Sequence, residues 1–189
     1  MHKAPGRWQL TTALKALYQG KTIAYPTEAV WGLGCDPFNQ QAVYRLLNTK
    51  NRPPEKGLIL VAANADQIAP LLAPLSESQK NQLTQLAPNG RATTWLIPHY
   101  DSIPHWVTGE HDTVAVRISR HPVVHALCLA FGGMIVSTSA NPASFRPALN
   151  QLQARCYFGR RIGAYVPGAV GKDAMPSQIR HLLTGEVLR

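Results

Sequence analysis

Residues 50–61 read KNRPPEKGLILV, three cations and two prolines set directly before a strongly apolar run. Pro53 disfavours the helical region for Arg52, and Pro54 does the same for Pro53, so an extended segment is expected around Arg52. Positions two apart face the same way along an extended chain, which puts Lys50 and Arg52 on one side, close to a strand predicted at Leu58 to Val61. Two cations aimed together point to an anion.

Two further strand ends carry chemistry. In YPTEAVWGLGCD (25–36) a strand runs into Thr27, Glu28 and two glycines. Gly32 and Gly34 serve either close backbone approach to a ligand or a tight turn; G-x-G without a third glycine and a following helix is no dinucleotide fingerprint. In VSTSAN (136–141) an apolar strand ends in hydroxyls and an amide. Ser139 and Asn141 can donate to an oxyanion or phosphate, although such clusters also make ordinary turns. His121 and His125, four apart on a predicted helix, lack a local third ligand and are read as ordinary surface or core histidines rather than a metal site.

The elements that must position these residues alternate in type. Leu10, Ala13, Leu14, Leu17 and Tyr18 follow helical spacing, with Gly20 as the stop. TIAYP is a strand; Val43, Leu46 and Leu47 mark a second helix; another helix begins near Asn64, and Ser76 with Gln79 resembles a capping box for the next. Strands are predicted at Thr94 to Ile97, Val114 to Ile118, Met134 to Ser137 and Ile162 to Val166, and helices at 122–131, 150–157 and 177–183. With no linker or repeat, this pattern predicts one α/β domain, its strand order left open.

Composition narrows the class. The chain has 189 residues, enough for one sizeable core, and 45% hydrophobic content excludes a mainly disordered protein. MHKAPGRWQL lacks the apolar core of a secretory signal, and no stretch approaches the roughly 18 apolar residues of a membrane span, so a soluble, cytoplasmic protein without membrane association is expected. Cys35, Cys128 and Cys156 form no C-x-x-C pair and are read as reduced, packed thiols. Nineteen Lys and Arg against ten Asp and Glu give a net charge of +9, which favours phosphate-bearing partners, nucleotide or nucleic acid.

The stretches AYPTEAVWGLGCD, LLNTKNRPPEKGLILVAAN, DTVAVRIS, VSTSAN and PSQIRHLLTGEVLR, in this order and spacing, resemble the YrdC-like threonylcarbamoyl-AMP synthases from about Trp8 to Arg189. That family pairs Lys-x-Arg with Ser-x-Asn in one cleft, which here falls on Lys50, Arg52, Ser139 and Asn141. The resemblance implies a single YrdC-like domain over 8–189, an α/β fold with a twisted, largely open mixed sheet and a basic concave face. It also implies the reaction: L-threonine, bicarbonate or CO2, and ATP give threonylcarbamoyl-AMP and pyrophosphate, for the threonylcarbamoyl modification of adenosine in tRNA. The carboxylated threonine attacks the α-phosphate, so the nucleophile belongs to the substrate and the protein supplies placement and charge stabilisation. A guanidinium binding phosphate oxygens bidentately and an ammonium acting as a point charge suit that task.

By the same resemblance, Thr27, Arg117, Ser139 and Ser177 match threonine-binding positions, and Lys50, Arg52, Lys56, Thr113, Asn141 and Arg189 match positions near ATP. Mg2+ is expected with the triphosphate, but no carboxylate pair identifies a protein ligand, Glu28 being the lone acid to weigh. Proteins of tRNA modification are implied as acceptors of the product, with direct tRNA or RNA binding as a further partner reading. The alternative is a noncatalytic RNA-binding module resting on the net charge.

Two stretches depart from the family pattern. LAPNGRATTWLIP (86–98) replaces a W-P-G-P-like stretch, and PASFRP (142–147) replaces the Ser-Gly that commonly follows Ser-x-Asn. Losing that glycine is expected to restrict a nucleotide-facing turn. The chain ends at Arg189 without the extra C-terminal domain of longer relatives, which reads as the short, single-domain form.

Overall fold

A computed structural model describes residues 4–84, 92–171 and 177–188. Eight strands form one mixed sheet: β1 (Ile23–Pro26), β2 (Trp31–Gly34), β3 (Ile59–Ala62), β4 (Thr93–Pro98), β5 (Thr113–Ile118), β6 (Ile135–Ser139), β7 (Ala164–Tyr165) and β8 (Gln178–His181), in the order β7-β1-β2-β6-β3-β5-β4-β8. The β1–β7, β3–β5 and β4–β8 pairs are parallel and the other neighbours antiparallel.

Register sorts the side chains into two faces, because successive residues of a strand alternate and directly paired residues share a side. The outer face carries Ala24, Leu33, Leu60, Val114, Val116 and Val136 in one apolar cluster. Covering it are α2 (Gln40–Lys50) with Val43, Leu46 and Leu47, the segment through α3 (Ala69–Leu72) and α4 (Glu77–Thr84), α5 (His105–Thr108) and α7 (Gln151–Phe158). On the inner face, Ile23, Tyr25, Val61 and Ile135 pack against α1 (Arg7–Tyr18) and α6 (Pro122–Phe131) through Ala13, Leu17, Val124 and Leu127. These two helices cover only one end of that face.

Local signals explain most boundaries. Asn39 caps α2 by accepting from Ala42 N at 3.0 Å, and Asn150 caps α7 by accepting from Gln153 N at 2.9 Å. The capping box before α4 is present: Ser76 N donates to Gln79 Oε1 at 2.8 Å and Gln79 N to Ser76 Oγ at 3.4 Å. The His121 ring caps α6: its Nδ1 accepts from Val123 N at 3.3 Å while Nε2 donates to Ala169 O at 3.1 Å.

Several expectations need correction. Residues 177–183 are not a helix; Gln178–His181 is a strand paired in parallel with β4. Ile179 and Leu182 satisfy a helical period, but an edge strand needs only one buried face, and sheet pairing overrides so short a pattern. The helix expected near Asn64 starts as a single 3-10 turn at Asp66–Ile68 before α3, and the strand expected at 162–166 shortens to Ala164–Tyr165. Cys35 and Cys128 are buried, whereas Cys156 is exposed on α7.

Candidate active site

The uncovered end of the inner face is a cleft of about 500 Å³. Its floor is made of small or polar residues where the covered end has large apolar ones: Gly32, Ser137, Ser139, Ala115 and Thr113, with Arg117 rising from β5. The register places them together, since Gly32 pairs with Ser139, Ile59 with both Ser137 and Ala115, and Val61 with Arg117. The walls come from Thr27 to Val30, from Arg52 and Lys56 to Leu58, from Thr108 and His111, and from Pro147, Ser177 and Ile179.

The two glycines of the WGLG strand have different reasons. A Cβ on Gly34 would lie 2.4 Å from Val136 O and 2.7 Å from the Tyr25 hydroxyl, so this glycine is required by packing and not by a ligand or a turn. A Cβ on Gly32 would meet Thr27 Cγ2 at 3.1 Å and Ser137 Oγ at 3.5 Å, standing on the cleft floor.

Seven of the sequence-predicted residues line the cleft: Thr27, Arg52, Lys56, Thr113, Arg117, Ser139 and Ser177. Lys50 and Asn141 do not, and Arg189 lies outside the described residues, as does the 85–91 part of the altered 86–98 stretch. The extended geometry expected at Lys50 and Arg52 is replaced by a helix end: Lys50 is the last residue of α2, and Asn51 is left-handed with φ 53°. The proline effect begins only at Arg52, one residue too late to align the two side chains.

Lys50 is buried, and its Nζ donates to the carbonyls of Ser139 and Asn141, the latter at 2.6 Å, while its own carbonyl accepts from Ala143 N at 3.0 Å. It therefore braces the Ser-x-Asn turn from behind. Burial, with the Arg52 charge second, brings its ammonium down from 10.5 to about 8. Arg52 folds over the 53–57 turn, with Nη2 donating to Gly57 O at 2.8 Å and to Lys56 O at 3.3 Å, while its buried Nε has no partner among the described residues. Asn141 Nδ2 donates to Pro142 O at 3.0 Å and Phe145 O at 2.9 Å, tying down the 142–147 loop, in which Ser144 takes the left-handed φ of 68°. Ala143, which stands where the glycine of a Ser-Gly after Asn141 would fall, has no positive φ, so the left-handed position of this loop lies one residue further on.

At the other end, Arg117 Nη1 lies 3.8 Å from Glu28 Oε2, both side chains being largely buried. Ser119 Oγ donates to Glu28 Oε1 at 2.5 Å. Burial pushes the Glu28 carboxyl up, but the Arg117 guanidinium and the Ser119 hydroxyl outweigh it, leaving it below the usual range and ionised at neutral pH. Thr27 Oγ1 donates to Val30 O at 2.7 Å, and the Thr94 and Ser177 hydroxyls are 2.8 Å apart. Among the described residues no group of three His, Cys, Asp or Glu could hold a metal ion, and no helix is long and apolar enough to cross a membrane. Sequence reasoning missed Ser137, which the period of two from Ser139 could have found, and His111, which no local pattern marks.

The family model Sua5/YciO/YrdC, described as Telomere recombination, matches residues 15–189. The chain is 50% identical over 185 residues to a threonylcarbamoyl-AMP synthase of Acinetobacter baumannii strain AYE, covering 95% of this chain and 97% of that protein. Its fold is similar to that of P. abyssi Sua5 in complex with L-threonine, with a TM-score of 0.88 and 27% identity over 97% of this chain; the chain spans 54% of the length of Sua5. E. coli YciO superposes with a TM-score of 0.81 at 18% identity, covering 100% of this chain and 91% of that one, which supports the fold.

Proposed function

The chain belongs to the Sua5/YciO/YrdC family, and from that membership we propose that it is an L-threonylcarbamoyladenylate synthase. Its substrates are L-threonine, bicarbonate or CO2, and ATP; its products are threonylcarbamoyl-AMP and pyrophosphate. The observation that carries this reading is a single cleft with a guanidinium at each end, Arg117 beside hydroxyls at one and Arg52 with Lys56 at the other. An amino acid's carboxylate suits the first end and a triphosphate the second.

In this reading Arg117 takes the threonine carboxylate, and Thr27, Ser139 and Ser177 contact its polar groups. Arg52 and Lys56 hold the phosphates, with Thr113 and Arg189 at the nucleotide, and Asn141 acts there through the 142–147 loop that its amide ties down. Once threonine nitrogen is carboxylated, a carbamate oxygen attacks the α-phosphorus, the bond to the bridging oxygen breaks, and pyrophosphate leaves. Arg52 stabilises the charge that gathers on the phosphoryl oxygens, and Lys50 keeps Ser139 and Asn141 in place. Mg2+ would come with the ATP, since Glu28 is the single carboxylate among the described residues that line the cleft and one acid makes no ligand cage.

The rest of the proposal follows the family: residues 8–189 act as one YrdC-like domain in the cytoplasm, and proteins of tRNA modification take the product for threonylcarbamoyladenosine formation. The test is pyrophosphate release by purified protein given ATP, Mg2+ and bicarbonate, with and without L-threonine. Threonine-dependent release, with threonylcarbamoyl-AMP identified by mass spectrometry and lost in Arg52→Ala, is the expected result. Release that ignores threonine, or an Arg52→Ala variant that loses only RNA affinity with a smaller salt slope, would overturn the reading.

A further inference from the structure

We propose that Glu28 makes the amino-acid end of the cleft selective for a zwitterion, with Arg117 facing the carboxylate of the substrate and the Glu28 carboxylate beside it answering the ammonium. The inference rests on the synthase reading and assigns a specificity-determining role to a residue outside the Lys-x-Arg and Ser-x-Asn motifs. Arg117 and Glu28 form an ion pair whose members are both incompletely satisfied. Arg117 Nε is buried with no partner among the described residues, and so is Glu28 Oε2, at 3.8 Å from Arg117 Nη1 and too far for a hydrogen bond to it. Buried polar atoms left in this state are costly, and a ligand that completes them recovers that cost.

The carboxylate is held for this role from several sides. Ser119 Oγ donates to its Oε1 at 2.5 Å, and the same hydroxyl accepts from His121 N at 3.3 Å at the start of α6. Gly171 N donates to Thr27 O at 2.8 Å, and a Cβ at Gly171 would lie 2.4 Å from Glu28 O, so a glycine there lets the two segments close on each other. Glu28 is thus fixed at the cleft wall rather than free to turn away.

Charge then decides what can bind. Guanidinium and carboxylate together are neutral, and an α-amino acid is neutral as well, so a zwitterion places each charge opposite its complement and leaves no surplus in a partly desolvated site. A ligand with the carboxylate alone leaves Glu28 facing an uncompensated negative charge, a repulsion that discriminates by destabilising the wrong ligand.

The experiment compares L-threonine with 2,3-dihydroxybutyrate, which keeps the carboxylate and β-hydroxyl and carries a hydroxyl in place of the amine, by calorimetric titration of the full chain. The wild-type protein is expected to prefer L-threonine by about 100-fold or more. Glu28→Gln, which keeps the shape and the acceptor for Ser119, is expected to reduce that preference by about tenfold or more, with analogue binding unchanged or tightened. A preference retained in Glu28→Gln, or absent from the wild type, overturns the inference. If circular dichroism shows that Glu28→Gln does not fold, Ser119→Ala takes its place. Removing the hydroxyl that holds the carboxylate is expected to lower the preference several-fold, and an unchanged preference overturns the inference. Wild-type protein that discriminates in titration yet releases no threonine-dependent pyrophosphate would sink the synthase reading separately.

Discussion

The inner face of the sheet has two ends built from the same strands in the same register, and they differ in what stands on the alternating positions. Under α1 and α6 the positions are Tyr25, Val61 and Ile135, completely buried. Further along, the same face offers Gly32, Ser137, Ser139, Ala115 and Arg117, and no helix among the described residues covers it. Strand β6 makes the change within its own length, from Ile135 at the covered end to Ser137 and Ser139 at the open one. A sheet face binds ligands where its side chains become too small and too polar to hold a helix, and the side chains that would have filled the space are replaced by groups able to meet charge.

The sharpest test of that contrast uses one strand. Ile135→Ala is expected to destabilise the fold by about 2–5 kcal/mol, the usual range for emptying a packed core position, with activity per folded molecule little changed. Ser139→Ala, four residues on and facing the same way, is expected to change stability by less than about 0.5 kcal/mol and to lower threonine-dependent turnover by about 100-fold. Denaturant melts alongside pyrophosphate release separate the two, and equal effects on both quantities would erase the distinction.

The glycines of β2 sharpen it further. Gly34→Ala would force its Cβ against the Val136 carbonyl, a backbone atom that has to move, and about 1–3 kcal/mol of overpacking is expected. Gly32→Ala meets only Thr27 and Ser137 side-chain atoms and Tyr25 Cε2 at 3.4 Å, so stability is expected to hold while threonine affinity falls. Comparing melting temperature and threonine KM for the pair would contradict the account if the costs were reversed.

A pH series probes the brace behind the open end. The folded state holds Lys50 at about 8 against 10.5 ordinarily, so between those values the unfolded chain binds more protons. This group's contribution therefore makes the fold gain stability as pH rises through the window, its penalty being largest below pH 8. Activity should move the other way, because loss of the ammonium weakens the hold on the Ser139 and Asn141 carbonyls. Wild type and Lys50→Met are compared from pH 7 to pH 10; a wild-type activity limb near pH 8 that persists in Lys50→Met would not belong to Lys50. The smallest effect is expected from Tyr25→Phe at the covered end, which removes the 3.2 Å bond to Val136 O and costs about 1 kcal/mol by thermal melts, with turnover unchanged.

Much of this arrangement was legible in the sequence wherever the signal was local. The Ser76–Gln79 cap, the strands at β3 to β6 and the helix of Val43, Leu46 and Leu47 follow from short-range chemistry and periodicity. The resemblance named residues that meet in one cleft although Thr27, Arg52, Arg117 and Ser139 lie far apart in the chain. What could not be read depends on partners distant in sequence. β8 is a strand only because β4 lies beside it, and Lys50 turns toward carbonyls 89 and 91 residues later, not toward the cleft. Gly34 answers to Tyr25 and Val136, a packing requirement that a glycine pattern cannot distinguish from ligand approach. Ion pairs such as Arg117 with Glu28 are likewise set by strand order, which one sequence does not reveal.

The most direct test of the central claim is a crystal structure of the chain with L-threonine and a non-hydrolysable ATP analogue. The account predicts both ligands on the open end of the inner face, the amino acid's carboxylate at Arg117 and the triphosphate at Arg52 and Lys56, with the amino-acid nitrogen turned toward the α-phosphate. Ligands bound elsewhere, or a triphosphate occupying Arg117, would contradict it.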